Sequence, residues 1–264
     1  MPATLYKPYG TIDAKPVVIK TTKPESPFQK SRRIQERYAR VLRGIAKEVG
    51  KLIQGYAPKD IISVEKLRNA LRSYSEIIGP WSLTVIKDVF NEVDRQDKWA
   101  WNQHSRDMSA ALRKELMEAP TGEVFSQMMR EQVNLIKSIP LEAGQRVHNL
   151  VTENLMHSAR ADEIAKKILQ TENITKNRAT LIARTEIARA SSKLVEARAT
   201  HVGSEGYIWR TSKDLLVRKS HQEMNGKFCK WDSPPVLSDK TTTHPGQIYN
   251  CRCWPDPIIG DDDI

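Results

Sequence analysis

The segment from Trp209 to Pro255 carries the densest chemistry in the chain. It reads WRTSKDLLVRKSHQEMNGKFCKWDSPPVLSDKTTTHPGQIYNCRCWP. All three cysteines and two of the six histidines lie within it. Turn-forming residues such as Asn225-Gly226 and Pro245-Gly246 divide it into short pieces. We therefore expect a small, loop-rich module at this end of the chain.

Outside this segment, the chain is a basic protein of moderate size. It has 264 residues and a formal net charge of +10. This length is enough to bury a sizeable core in one large domain or two small ones. A positive field of this kind attracts phosphate backbones and acidic protein surfaces.

Several classes of protein are disfavoured by the same sequence. No apolar run approaches the roughly 18 residues that a membrane span needs. The first 30 residues contain five prolines and lack the apolar core of a signal peptide. An odd number of cysteines argues against a disulfide framework and favours reduced thiols or metal ligands. We therefore expect no membrane span and no passage through the secretory route.

Composition divides the chain into four segments. Residues 1–30 form an extended basic arm, residues 31–145 a helical region, residues 146–258 the module and residues 259–264 an acidic tail. Within the arm, Val17-Val18-Ile19 either belongs to a disordered tail or adds a short strand to a partner's sheet. The predicted fold class is mainly α, with a helical N-terminal region followed by a small α+β C-terminal module with few short strands.

Apolar residues at spacings of three and four predict the helices. Pro and Gly are taken to interrupt them, at Gly79-Pro80 and again at Pro140. The predicted helices are 31–55, 60–78, 81–118, 123–139, 140–156, 161–169 and 175–201. The run Tyr207-Ile208-Trp209 is the clearest strand, Leu215-Leu216-Val217 is a second candidate, and the chain after Gly226 is predicted to be loop.

The first predicted helix has a basic face opposite its apolar one. Two acids, Glu36 and Glu48, interrupt it. A solvated surface explains such a face, and a surface that meets DNA or a protein partner is the alternative. The residues proposed for that contact are Arg32, Arg33, Arg37, Arg40, Arg43 and Lys47.

Cys251-Arg252-Cys253 predicts a cluster of thiols. In an extended segment, residues two apart point the same way, so both thiols face one side and Arg252 the other. Together with His221 and His244, the two thiolates would make a tetrahedral Cys2His2 site for a structural zinc ion. The alternative is that Cys251 and Cys253 are two small buried apolar side chains.

Evidence for catalysis in the sequence is weak. There is no Gly-rich phosphate loop, no paired carboxylate motif and no nucleophile elbow. Arg184 and Glu186 lie two apart on a helix and point to different sides, so each is expected to pair with the β-containing segment. Arg218 is expected to pair with Asp214 or with Glu186.

The motifs of the C-terminal half resemble the phage Mu protein F-like head morphogenesis domain, which is found in minor head proteins of tailed phages. The resemblance covers roughly residues 150–258. Cys229 departs from the family pattern, which leaves the state of the three thiols open. The matching positions are Ala183-Arg184-Thr185-Glu186, Trp209, Asp214, Arg218, His221, Gly226, Pro245, Cys251-Arg252-Cys253 and Pro255.

This resemblance implies a non-enzymatic role in the virion. Family members act in head assembly, associate with the portal and are thought to contact the packaged genome. The expected partners are the portal protein, the major capsid or scaffolding protein and double-stranded DNA. The expected location is the head near the portal vertex, after assembly in the host cytoplasm. The resemblance does not cover residues 31–145, and we hypothesise separately that they form a helical region that binds portal or capsid.

Within this resemblance, eight residues are expected to act as the structural signature of the domain. They are Arg184, Glu186, Trp209, Asp214, Arg218, His221, Cys251 and Cys253. Two other functions are kept as alternatives. One is a nuclease or toxin-like enzyme using Glu186, Arg218, His221 and His244, and the other is a sequence-independent DNA-binding module.

Overall fold

The computed structural model describes residues 4–6, 17–19, 26–29, 31–56, 61–157 and 161–260. Within these residues the protein is mainly α-helical, with a small three-stranded sheet near the C-terminus, so the predicted fold class is confirmed. The helices are α1 (Arg32–Tyr56), α2 (Ile61–His104), α3 (Ala110–Glu118), α4 (Gly122–His157), α5 (Ala161–His201) and α6 (Lys219–Gln222). The strands are β1 (Thr4–Tyr6), β2 (Val17–Ile19), β3 (Gly206–Thr211), β4 (Phe228–Lys230) and β5 (Cys253–Ile258).

Prolines do not end the long helices, and the predicted breaks at Pro80 and Pro140 are wrong. Helix α2 runs through Pro80 and α4 through Pro140. A proline removes only one helical hydrogen bond, whereas apolar residues on both sides, such as Ile78 and Ile86, are buried. Near Pro80 the hydroxyl of Ser82 also donates to the carbonyl of Ile78, at 2.7 Å. Packing of the flanking turns therefore outweighs the loss at each proline.

Two other predicted helix boundaries also differ. The predicted helix 81–118 is interrupted after His104, and α3 begins after Ser109, whose side chain accepts a hydrogen bond from Leu112 N. Thr175 is not a cap, because it lies inside α5 and donates to the carbonyl of Thr171 at 2.7 Å. Helix α5 ends as predicted near Gly203, which adopts a φ of 81°.

The sheet is antiparallel with the order β4-β3-β5. Its centre, β3, confirms the strand predicted at Tyr207-Ile208-Trp209. The second predicted strand is wrong, because Leu215 and Leu216 are exposed in a turn region. The actual partners of β3 lie after Gly226, where only loop was predicted. Pro255 and Pro257 lower the strand propensity of β5, so this strand was not predicted. An edge strand nevertheless tolerates proline.

Little of the arm and tail lies within the described residues. Strand β2 contains the predicted Val17-Val18-Ile19 and pairs antiparallel with β1 of the same chain. The remainder of residues 1–25 and the acidic residues 261–264 lie outside the described residues, so the predicted arm and tail are not assessed there.

The chain forms two compact units, each assembled from separate segments. Unit 1 comprises Met1–Ser31, Asn91–Phe125 and Ile187–Ile264, and unit 2 comprises Arg32–Phe90 and Ser126–Glu186. The core of unit 1 brings the sheet together with residues distant in sequence. Its buried members include Phe28, Trp101, Leu112, Leu116, Val195, Tyr207, Trp209, Trp231, Cys253 and Trp254.

Unit 2 is built from α1 and parts of α2, α4 and α5. Its buried apolar residues include Leu42, Leu67, Leu71 and Ile136. A buried polar chain crosses it: Tyr38 donates to Gln132 Oε1 at 3.1 Å, and Gln132 donates to Glu186 Oε2 at 2.5 Å. Burial, followed by the negative charge of Glu186, raises the pKa of Tyr38, so its phenol stays protonated.

Candidate metal centre

Three buried side chains meet beside the sheet of unit 1. The short helix α6 presents His221, Cys253 is the first residue of β5, and Cys251 lies two residues before it. The indole of Trp209, in the central strand, packs edge-on against the His221 ring at a centroid distance of 5.4 Å and 81°. An apolar core therefore surrounds two thiols and an imidazole.

The ligand atoms of these residues are close together. His221 Nδ1 lies 3.4 Å from Cys253 Sγ and 3.5 Å from Cys251 Sγ. The three atoms all lie within 4.8 Å of one another. The other ring nitrogen, Nε2, is buried and has no hydrogen-bond partner among the described residues. The imidazole is thus oriented by packing, with Nδ1 directed at the sulfurs.

Cys251 is positioned by the loop that precedes it. Asn250 adopts a left-handed backbone conformation with φ of 53°, and Cys251 N donates to Ile248 O at 3.1 Å. The backbone N–H of Gly246 donates to Cys251 Sγ at 3.2 Å. Gly246 has a φ of 87°, and a Cβ added to it would lie 3.1 Å from the carbonyl oxygen of Ala188. Glycine therefore allows this amide to approach the sulfur.

His244, the fourth residue of the predicted metal set, lies with other partners. Its Nδ1 is 2.8 Å from the hydroxyl of Tyr207, and Trp231 packs nearby with its ring centroid 6.3 Å away. Burial is the main reason that the pKa of His244 is lowered, so the ring is neutral near pH 7. The structure thus gathers three of the four residues, and His244 forms a separate buried pair with Tyr207.

The third cysteine is outside the cluster. Cys229 lies on β4, opposite Tyr207 in the register of the sheet. Burial raises the pKa of its thiol, and none of the three cysteines forms a disulfide. Cys229 is therefore a protonated core thiol, and it is a natural internal control for Cys251 and Cys253.

Polar pairing around the cluster differs from the pairing expected from the sequence. Asp214 pairs with Arg252 at 2.5 Å. Slight burial raises the pKa of Asp214, but hydrogen bonds from Leu216 N, Ser212 and Arg252 together lower it. Arg218 instead donates to the carbonyl of Tyr249 at 2.7 Å. Arg252 takes the carboxylate because it emerges directly beside Ser212, whose N–H donates to the Arg252 carbonyl.

Arg184 and Glu186 both have partners on helices. The exposed guanidinium of Arg184 lies 4.0 Å from Glu36 on α1. Glu186 accepts the hydrogen bond from Gln132 on α4 described above. Arg184 therefore pairs with a helix rather than with the predicted segment, whereas the pairing of Glu186 with the β-containing segment stays a prediction.

The basic residues of α1 largely face solvent. Arg32, Arg33, Arg37, Arg40 and Lys47 are exposed. Arg43 is half-buried, donates to Thr180 at 3.3 Å and lies 3.9 Å from Glu36. The face therefore presents several guanidinium groups on one rigid helix.

Sequence reasoning missed a buried ionic cluster in unit 1. Arg198 on α5 contacts Asp97 at 2.7 Å and Asp94 at 2.9 Å, and it also donates to the carbonyls of Leu116 and Met117. Arg198 is 1% exposed. The sequence did contain a signal for this cluster. Asp97 lies four residues after Val93 and four before Trp101, which places its carboxylate on the apolar side of the helix.

Comparisons with known proteins found one family match, around the cysteine cluster. Residues 145–254 match the family described as "Phage Mu protein F like protein". This segment is similar to that family, as the motifs predicted. It includes Trp209, His221, Cys251 and Cys253.

One relative matches a larger part of the chain. It is a protein of Haemophilus influenzae strain Rd described as "Uncharacterized protein", 32% identical over 159 residues. The alignment covers 60% of this chain and 34% of the relative, so the chain spans about a third of the relative's length. No solved structure matches. None of the described helices combines the length and apolarity required to cross a membrane.

Proposed function

We propose that this chain is a non-enzymatic minor head protein of a tailed bacteriophage that associates with the portal and acts in head assembly. The observation that carries the proposal is the family match over residues 145–254. The partners that we infer are the portal protein, the major capsid or scaffolding protein and the packaged double-stranded DNA. The protein would assemble in the host cytoplasm and remain in the head near the portal vertex.

The charge distribution supports a contact with DNA. The chain has a net charge of +10, and four arginines of α1 are exposed on one helix. Guanidinium groups bind phosphate without reading bases, so such a contact would be independent of sequence. A chain packed beside a phage genome would need this kind of binding.

An enzymatic role receives less support from the arrangement of side chains. Arg218, His221 and His244 all lie in unit 1, yet each contacts a different partner. Arg218 binds the Tyr249 carbonyl, His221 faces the thiols and His244 pairs with Tyr207. We therefore favour a structural role over the nuclease or transferase alternative.

Localisation in the particle tests the assembly role. In the phage that encodes this chain, an epitope tag after residue 260 should be found in purified heads and should cross-link to the portal protein. The tagged protein should stay with the portal after DNA and tails are removed. Absence from both procapsids and mature heads would contradict the proposal.

Salt dependence tests the contact with DNA. The binding constant falls as salt concentration rises. Each lost phosphate contact makes the plot of log K against log salt less steep by about 0.9 for duplex DNA. The triple variant Arg32→Gln, Arg33→Gln, Arg40→Gln should therefore reduce this slope by about 2 to 3. The matched control is Lys219→Gln, Lys227→Gln, Lys230→Gln, which removes the same charge from exposed positions of unit 1. Equal effects of the two variants would show that net charge, rather than α1, determines binding.

A further inference from the structure

We propose that His221, Cys251 and Cys253 bind one zinc ion through three protein ligands, leaving a fourth position for a water molecule. The proposal concerns a site that the family match does not assign, and it does not depend on the head-protein role. It also differs from the four-residue set suggested by the sequence, because His244 is excluded.

The distances fit a tetrahedral ion. Zinc binds thiolate sulfur at about 2.3 Å and imidazole nitrogen at about 2.0 Å, so tetrahedral angles place the nitrogen and each sulfur about 3.5 Å apart. The observed separations from His221 Nδ1 are 3.4 Å to Cys253 Sγ and 3.5 Å to Cys251 Sγ. Both nitrogen–sulfur separations thus match those of a shared tetrahedral ion, and all three ligand atoms lie within 4.8 Å of one another.

The ligand chemistry also favours a metal over hydrogen bonding alone. Nδ1 carries at most one proton, so it can donate to only one of the two sulfurs that it faces. A cation would engage all three atoms together. Two thiolates and one imidazole are soft and borderline ligands that select zinc over magnesium or calcium.

Neighbouring groups hold two of the ligand side chains in place. Cys251 Sγ accepts the N–H of Gly246 at 3.2 Å, and an amide donor of this kind stabilises a thiolate. The Trp209 ring fixes the orientation of the His221 ring. Both cysteines and His221 are buried, which shields the thiolates from bulk solvent and competing ions.

The ion would fasten a long loop. Between β4 and β5, residues 231–252 contain no helix or named strand, and Cys251 lies near the end of this stretch. His221 lies before β4, on α6. Binding would therefore close the segment from His221 to Cys251 into a ring, and its free energy would add to the stability of unit 1.

His244 distinguishes a three-residue site from a four-residue one. Its Nδ1 is bound to the Tyr207 hydroxyl at 2.8 Å, and it does not belong to the cluster of ligand atoms. Replacement of His244 by Gln should therefore leave zinc in place. A four-residue site predicts that the same change removes it.

The experiment measures zinc in the full-length protein purified without chelator. Elemental analysis should give about one zinc per chain, and Cys251→Ser, Cys253→Ser and His221→Gln should each lower this at least about tenfold. Cys229→Ser and His244→Gln should retain the wild-type value. Wild-type protein without zinc, or Cys251→Ser/Cys253→Ser protein that keeps it, would overturn the proposal. Loss of zinc from His244→Gln would overturn the three-residue version.

A spectroscopic measurement on wild-type protein guards against misfolding of the variants. After zinc is exchanged for Co²⁺, tetrahedral coordination gives intense visible bands, and thiolate ligands give near-ultraviolet charge-transfer bands. Cys229→Ser should leave both sets of bands unchanged. Weak, octahedral-type visible bands without charge transfer would contradict the proposal, as would an unchanged melting temperature after a strong chelator is added.

Discussion

Among the described residues, Arg198 carries the most completely buried charged side chain. Its surroundings explain how this charge is tolerated. Its guanidinium reaches two carboxylates and two carbonyl oxygens. Asp97 is also buried, whereas Asp94 is partly exposed. A buried charge is costly unless its partners are present, so these residues act as one unit that fixes α5 against α2 and the end of α3.

Replacing Arg198 with Met should strongly destabilise unit 1. The change keeps the bulk of the side chain but leaves Asp97 without its cation and the carbonyls of Leu116 and Met117 without their donor, which costs about 3 to 5 kcal/mol at pH 8, where Asp97 is ionised in the wild type. The matched control is Lys193→Met, which removes the partly exposed ion pair with Glu196 on the same helix and should cost roughly 0 to 1 kcal/mol. Urea denaturation followed by tryptophan fluorescence measures both, and similar losses would contradict this account.

The protonation of Asp97 should make stability depend on pH. Burial raises its pKa to about 7, although Arg198 opposes the shift. Because the pKa is higher in the folded protein than in the unfolded chain, the stabilisation is present at low pH and is lost as pH rises through about 7.

The comparison with Asp97→Asn isolates this effect, since Asn does not titrate. The free energy of unfolding of the wild type, relative to Asp97→Asn, should fall between about pH 4 and pH 7 and stay level above that range. Denaturation at a series of pH values measures it. A constant difference, or a rise with pH, would mean that Asp97 is already ionised at acidic pH. The exposed Asp88, changed in the same way, provides the control.

At the scale of elements, two glycines of α1 have contrasting surroundings. Nothing lies within 4 Å of a Cβ built on Gly44, whereas a Cβ on Gly50 would lie 2.5 Å and 2.7 Å from Cδ and Cγ of Glu172 on α5. Glu172 in turn pairs with Lys176 at 2.6 Å. Gly50 thus lets the two helices of unit 2 approach closely.

Alanine substitutions at these glycines should have different effects. Gly44→Ala should stabilise the protein by about 0.5 to 1 kcal/mol, because alanine favours the helix. Gly50→Ala should be less stable than Gly44→Ala by about 1 to 3 kcal/mol, because Glu172 must move. Thermal unfolding by circular dichroism measures both. If the double variant Gly50→Ala/Glu172→Ala does not recover stability, the close contact is not the cause.

Local patterns predicted the type of most elements but not their continuity. The apolar residues of α1 and the strand at Tyr207-Ile208-Trp209 were evident from periodicity alone. The uninterrupted course of α2 through Pro80 was not, because it depends on packing between residues far apart in sequence. Strand β5 was missed for the same reason: its prolines are acceptable only because β3 pairs with it on one side.

The candidate site was predictable in part. The spacing of Cys251 and Cys253 placed both thiols on one side, and His221 was named as their neighbour. Separating His221 from His244 required tertiary contacts, since both are histidines in loop-rich sequence and only the fold pairs His244 with Tyr207. Likewise, the pairing of Asp214 with Arg252 rather than Arg218 depends on the register of the turn.

At the scale of the whole molecule, unit 1 does not coincide with a continuous stretch of chain. Its core contains Trp209 and Trp254 from the family domain, together with Trp101 and Leu116 from much earlier residues. A family domain defined by residues 145–254 therefore lacks part of the apolar surface against which its own sheet packs.

An isolated fragment of residues 146–258 should consequently fail to form a stable fold. Without Trp101, Leu112 and Leu116, Trp209 would lose apolar neighbours and expose a hydrophobic patch. We expect aggregation on size-exclusion chromatography and the absence of a cooperative thermal transition. The full-length chain, prepared in parallel, is the control. A monomeric fragment with a sharp transition would contradict the prediction.

The divided origin of unit 1 also has a consequence during synthesis. Leu116 leaves the ribosome about 90 residues before Trp209, which corresponds to roughly 5 to 18 s at ordinary rates of translation. Throughout that interval Trp101 and Leu116 lack the sheet that later covers them. The nascent chain therefore offers an apolar surface to chaperones in the cell that makes it. Maturation of this protein should accordingly be sensitive to the folding machinery of that cell, even though the finished core is well buried.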